Sequence, residues 1–166
     1  MTFPSRLNII FMGVAVIGSM GLLISYGFEY FLDLKPCILC LYERIPYAIA
    51  LLIGFLGWRR PKLFPKAFLM ILFITFLGSS LLSFYHMGIE RGFFSPLAAC
   101  GGQSEIEAQS VDQLEELISK TSLVPCDVVH FRFLTLSLVE YNLLFSLCLT
   151  LLFGVILFQL NSKKHQ

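Results

Sequence analysis

Apolar positions along the chain gather into four stretches, separated by two short polar breaks and one long one. A helix rises about 1.5 Å per residue, so crossing roughly 30 Å of hydrocarbon takes about 20 residues. The stretches at 7–26, 67–85 and 141–160 meet that length. The second stretch is shorter: only Ile45 to Trp58 is free of charge, so it spans as 41–58, starting near Cys40 with Glu43 and Arg44 at its outer end. Cys40 is therefore expected at the membrane surface. Pro46 should kink this helix or mark its first turn, a break that membrane helices tolerate. The pattern predicts an all-α integral membrane protein, a four-helix transmembrane bundle forming one domain over 1–166, with loops at about 27–40 and 86–140.

The long loop is sparse in apolar residues and has one periodic piece, Val111 to Lys120. There Val111, Leu114, Leu117 and Ile118 form a stripe against Asp112, Glu115 and Glu116. That spacing predicts a short amphipathic helix lying on the bilayer surface or on the bundle. Gly101 and Gly102, directly after Cys100, should keep that cysteine on a mobile, accessible loop.

Composition sharpens the class. With 57% hydrophobic and 14% charged residues and a mean hydropathy of +0.79, the chain is too apolar for an ordinary soluble domain. A net charge of +1 gives no support for nucleic-acid binding. Arg6 ahead of an apolar run suggests a secretory signal, but bulky Tyr26-Gly27-Phe28-Glu29-Tyr30 follows instead of a small-residue cleavage site, so a retained anchor is expected.

Charge also sets an orientation. Arg6, Arg59, Arg60, Lys62, Lys66, Lys163 and Lys164 make seven of the twelve basic residues, in segments without a single acid; all eleven carboxylates fall between Glu29 and Glu140. Short cytoplasmic loops collect Lys and Arg, so both termini and the 59–66 turn are expected in the cytoplasm. The other two loops then face outward, carrying Cys37, Cys40, Cys100 and Cys126.

Outside the cytosol disulfides persist, so these four sulfurs are candidates for two of them, with three pairings open. A Cys37–Cys40 bond encloses two residues. A Cys100–Cys126 bond closes a loop of about 27 residues, worth roughly 3.5 kcal/mol if unstrained. It would serve as a staple or as a reactive pair, and a bundle of four membrane helices needs no staple. Four thiolates also suit tetrahedral zinc, but the second Cys-x-x-Cys knuckle of common zinc folds is missing, and no metal is assigned. Cys148, inside the fourth stretch, reads as a small core residue.

A helix running from Cys40 puts Arg44 four residues on, on the same face. A cation and a helix N-terminus both favour thiolate, which marks Cys40 as the activated sulfur. An interfacial cation that snorkels to water is the competing reading of Arg44. His86, closing the third stretch, is expected at the same level, as an imidazole facing a bound carrier or as a plain interfacial histidine.

The run Lys35-Pro36-Cys37-Ile38-Leu39-Cys40-Leu41-Tyr42-Glu43-Arg44, the segment Tyr85-His86-Met87-Gly88-Ile89-Glu90, the isolated Cys100, and Cys126-Asp127 followed by Arg132-Phe133-Leu134 resemble the disulfide bond formation protein B family (DsbB). The likeness covers most of the chain in the same order. Relatives often carry Trp-x-Phe-Leu-Gly after the fourth cysteine and a Trp before the last span; here Phe131-Arg132-Phe133-Leu134-Thr135 and Tyr141-Asn142 stand there.

The resemblance implies a quinone-dependent protein-disulfide oxidoreductase of the bacterial inner membrane. A reduced periplasmic thioredoxin-like dithiol protein (DsbA-like) would attack a Cys100–Cys126 disulfide at Cys100. Cys126 would exchange with Cys37–Cys40, and Cys40 would pass the electrons to ubiquinone or menaquinone beside Arg44, with His86 a further candidate for the quinone site. An interloop Cys37–Cys126 disulfide is an alternative resting form. Vitamin K epoxide reductase-like proteins share the helix bundle and the cysteine pairs, but with the loop pair first in the chain, the reverse of the order here. A non-enzymatic membrane protein with structural or zinc-binding cysteines is the alternative from another class.

Overall fold

The computed structural model describes residues 3–60, 64–96, 100, 125–129 and 131–162. Among these residues five helices carry the fold: α1 (Phe3–Phe31), α2 (Ile38–Tyr42), α3 (Ile45–Arg59), α4 (Pro65–Glu90) and α5 (Leu138–Ser162). With α2 and α3 taken together, four helical segments are long and apolar enough to cross a membrane: Leu7–Phe31, Ile38–Arg59, Pro65–Glu90 and Leu138–Ser162. This is a four-helix bundle of a multi-pass membrane protein. The amphipathic helix expected at Val111 to Lys120 lies outside the described residues, as do Gly101 and Gly102.

Packing is pairwise, α1 on α3 and α4 on α5, with α3 and α4 joining the two pairs. Without a hydrophobic drive between helices in lipid, close approach depends on small side chains. A Cβ at Gly18 would lie 2.5 Å from the Leu51 backbone nitrogen, and one at Gly54 would overlap the Ala15 backbone. These glycines set the α1–α3 spacing from both sides. Inside, Phe76 stacks on Phe153 at 5.8 Å and meets Tyr47 edge-on at 6.0 Å, beside buried Phe11, Leu69, Leu72 and Leu149. Side chains such as Leu23, Ile74, Leu81 and Leu151 are exposed, the outward apolar surface that lipid requires.

Helix ends decide where the site sits. α1 continues five residues beyond the expected end at Tyr26, to Phe31, and Asp33 turns the chain at φ 48°. The α2–α3 break falls at Glu43 and Arg44 because Pro46, in the first turn of α3, has no N–H to donate to the Tyr42 carbonyl. Likewise α4 runs past His86 to Glu90 and closes with a Schellman motif: Gly92, at φ 73°, donates to Ile89, and Phe93 to Gly88 at 2.7 Å.

Ahead of α5, strands β1 (Arg132–Phe133) and β2 (Leu136–Ser137) form a two-residue hairpin with Leu134 and Thr135 both at positive φ. Ser137 and Glu140 then make a capping box. The Glu140 carboxylate accepts from the Ser137 N–H at 2.8 Å, and the Ser137 hydroxyl accepts from the Glu140 N–H at 3.3 Å. The same residues staple α5 to α4: Ser137 donates to Glu90 at 2.6 Å, and Arg91 Nε donates to Glu140 at 2.9 Å.

Candidate functional site: a sulfur cluster beside an apolar cavity

The Cys-x-x-Cys pair folds as the first turn of α2. Cys37 is its N-cap, with an extended backbone, and its sulfur accepts the Cys40 N–H at 3.3 Å. That brings the two sulfurs to 3.0 Å, both as thiols. Buried His86 comes across from α4 and places Nε2 3.6 Å from Cys37 Sγ. Its Nδ1 faces Glu43 Oε1 at 3.3 Å, as an N–H donating to a carboxylate.

The Cys37 thiol is pushed down to about 4. The Cys40 side chain hydrogen-bonds it, and the His86 hydrogen bond and charge add to this, while burial opposes. The contacts at Cys37 differ from the expectation, which drew on Arg44 and the helix N-terminus to favour a thiolate at Cys40. Three donors converge on Cys37, whereas the Arg44 guanidinium turns to Glu29 at 2.7 Å and stacks over the Tyr26 ring at 4.7 Å. The α2–α3 break falls at Glu43 and Arg44, between Cys40 and the body of α3.

Cys100 and Cys126 are each 1% exposed and pack with Cys37, Leu39 and Ile89 in one cluster. Cys100 is therefore not the accessible loop thiol that Gly101 and Gly102 suggested. Its sulfur is apolar enough to pack in that cluster. Burial raises the Cys126 thiol, and the hydrogen bond it shares with Cys100 and the negative charge of Cys37 raise it further. Cys126 is thus coupled to both Cys100 and Cys37. Cys148 is exposed on the outer face of α5, not in the core, because a thiol is apolar enough for lipid.

On the other side of Cys40 lies a cavity of about 460 Å³ between α1, α3 and α5. Met20, Ile24, Phe28 and Phe145 contribute apolar wall, while Cys40, Glu43, Arg44, Tyr47 and Asn142 supply the polar groups. Among the described residues the buried Arg44 Nε has no hydrogen-bond partner. Tyr47 donates to Asn142 Oδ1, and Asn142 Nδ2 donates to Ser83 at 2.8 Å. His86 is not part of this wall and faces the sulfurs instead.

Sequence reasoning brought Cys40 and Arg44 to one place and missed Glu29, Tyr26, Glu43, Tyr47 and Asn142. A signal for the first two existed: Tyr26 and Glu29 are three apart, one helical face, once α1 is allowed to run past Tyr26. For metal binding, Cys37, Cys40 and His86 have their donor atoms within 4.8 Å of one another.

Residues 6–156 match the family described as disulfide bond formation protein DsbB. The chain belongs to the DsbB family. It is also 33% identical over 159 residues to an uncharacterized protein of Rickettsia prowazekii (strain Madrid E), covering 95% of this chain and 90% of that one. Membership of the DsbB family makes this chain a membrane disulfide-generating oxidoreductase with thiol oxidase activity.

Proposed function

We propose that the protein reoxidises a periplasmic thioredoxin-like dithiol oxidase (DsbA-like) and passes the electrons to a membrane quinone, ubiquinone or menaquinone. The observation that carries this reading is the double position of Cys40, which belongs to the sulfur cluster and to the wall of the Arg44 cavity. The apolar walls suit an isoprenoid quinone ring, and the Arg44 Nε, unpartnered among the described residues, is a donor suited to a quinone oxygen.

In this scheme docking of the partner uncovers Cys100, which is buried in the cluster, and the partner's thiolate then attacks Cys100 in a Cys100–Cys126 disulfide and expels Cys126 as thiolate. Cys126 attacks Cys37 of the Cys37–Cys40 disulfide, forming an interloop bond and expelling Cys40 toward the cavity. Resolution of the mixed disulfide by the partner's second thiol releases oxidised partner and frees Cys100, which attacks Cys126 in the interloop bond, re-forms Cys100–Cys126 and expels Cys37, leaving the Cys37 and Cys40 pair reduced. Quinone, when bound, takes up the two electrons and two protons of that pair. Glu43 lines the cavity and also faces His86, so the two residues offer those protons a way out of the sulfur cluster. The supporting orientation, by charge, has both termini in the cytoplasm and the cysteines on the periplasmic side of the inner membrane.

Purified protein mixed with a reduced thioredoxin-fold dithiol protein and a soluble quinone should consume one quinone for each disulfide formed, read by quinone absorbance. Oxidised partner without loss of quinone would rule out the acceptor half of the proposal.

A further inference from the structure

We propose that the reduced protein binds a zinc ion on Cys37, Cys40 and His86, and that the bound ion blocks electron transfer until it is removed. Three ligand atoms of the kinds zinc prefers lie within 4.8 Å of one another, from two separate segments of the fold. Zinc bonds of about 2.3 Å to sulfur and 2.0–2.1 Å to nitrogen put tetrahedral ligand atoms roughly 3.3–3.8 Å apart. The Cys37–His86 separation of 3.6 Å already fits, and the sulfurs, now 3.0 Å apart, need to part by about 0.8 Å, within reach of a side-chain rotation.

The surroundings favour the same reading. Metal-bound histidines usually give their second nitrogen to a carboxylate, which fixes the tautomer. Glu43 stands at Nδ1 of His86 at 3.3 Å and keeps the proton there, so Nε2, 3.6 Å from Cys37 Sγ, is the nitrogen that zinc would take in place of its hydrogen bond to Cys37. His86 and Glu43 are 1% and 8% exposed, so the ligand and its support are held by packing. Cys40 opens onto the cavity, which supplies an entry path and room for water as fourth ligand.

Binding transfers no electrons: zinc displaces whatever protons the two thiols carry and is held by two thiolates and a neutral imidazole. A Cys37–Cys40 disulfide has no thiolate to offer, so only the reduced state binds. With both sulfurs on the metal, neither can attack a disulfide or reduce an acceptor. That regulatory half rests on the relay proposed above; the metal site does not.

The test is a titration of the detergent-purified full chain with Zn²⁺ alone, against a chromophoric chelator, in reduced and oxidised forms. A reduced Cys100→Ser/Cys126→Ser variant, which leaves only the proposed site and Cys148, should bind one equivalent, and the oxidised native protein none. Co²⁺ in place of zinc should give tetrahedral d–d bands and thiolate charge-transfer absorption, a readout that needs no change at His86. His86→Ala should weaken zinc by roughly 10-fold or more and Glu43→Gln by roughly 10–100-fold. Equal binding by oxidised protein, no binding by the reduced double variant, or native affinity in His86→Ala would overturn the site. Zinc should also stop quinone reduction by the native protein, reversibly on chelation; bound zinc without inhibition overturns the regulatory role. Zinc binding in a protein that never reduces quinone, even with chelator, defeats the relay and leaves the site standing, whereas an active relay without zinc binding defeats the site alone.

Discussion

Glu29, near the end of α1, holds a carboxylate oxygen 2.7 Å from the guanidinium of Arg44 at the start of α3. The pair closes one side of the cavity and leaves Arg44 only 12% exposed along its side chain. A cation that merely anchored the helix end in water would not be covered this way. Glu29 pairs with the guanidinium, Tyr26 covers one of its faces, and its Nε has no hydrogen-bond partner among the described residues.

Arg44→Lys keeps the charge but not the planar fork. Loss of a charged hydrogen bond, worth about 1.5–3 kcal/mol, should raise the apparent quinone KM by roughly tenfold or more. Arg44→Ala should do the same and leave Glu29 unpaired, while exchange between Cys100 and a dithiol partner continues. Native quinone kinetics in both variants at normal expression would take Arg44 out of the site.

The two loop cysteines should divide their work. Cys126→Ser removes the sulfur that is expelled from Cys100, so a mixed disulfide between Cys100 and the partner should accumulate on non-reducing gels. Cys100→Ser should abolish that adduct, and lipid-facing Cys148→Ala should leave activity unchanged. Partner oxidation at the native rate in both serine variants would make the pair a staple.

Cys37 gives a pH dependence with a defined sign. Its thiol is held at about 4 in the fold, against about 8.5 in an unfolded chain. Between those values the reduced folded protein binds fewer protons than the unfolded chain, so its stability rises with pH. The contribution is complete above about 8.5, fades as the pH falls and is gone once it passes below about 4. Unfolding midpoints of reduced native protein minus those of Cys37→Ser should follow that course. A difference that grows toward acid would contradict the charge assignment, and His86→Ala should shift the loss of thiolate absorbance to higher pH.

Orientation is open to direct labelling. Cysteines introduced at Lys62 and near the C-terminus should resist a membrane-impermeant thiol reagent in intact cells, once native cysteines are accounted for, and one at Gln109 should react. The opposite pattern would move the sulfurs to the reducing side and end the proposed relay.

Hydropathy, charge and cysteine spacing needed no tertiary structure. A bilayer demands about 20 apolar residues whatever packs beside them, and Cys37 and Cys40 lie one helical turn apart wherever their helix sits. The limits of each helix were less legible, because they depend on remote partners. α1 runs on where Glu29 meets Arg44, and α4 continues to Glu90 where Ser137 waits for its carboxylate. Which sulfur carries the charge was likewise beyond local sequence. Spacing favoured Cys40 through Arg44, four residues away, but the α2–α3 break falls at Glu43 and Arg44, and His86, 49 residues from Cys37, supplies the hydrogen bond instead. A residue's neighbours in sequence set its helix and its membrane depth; its ionisation depends on the few ångströms around one atom, and those are filled by side chains that only folding brings together.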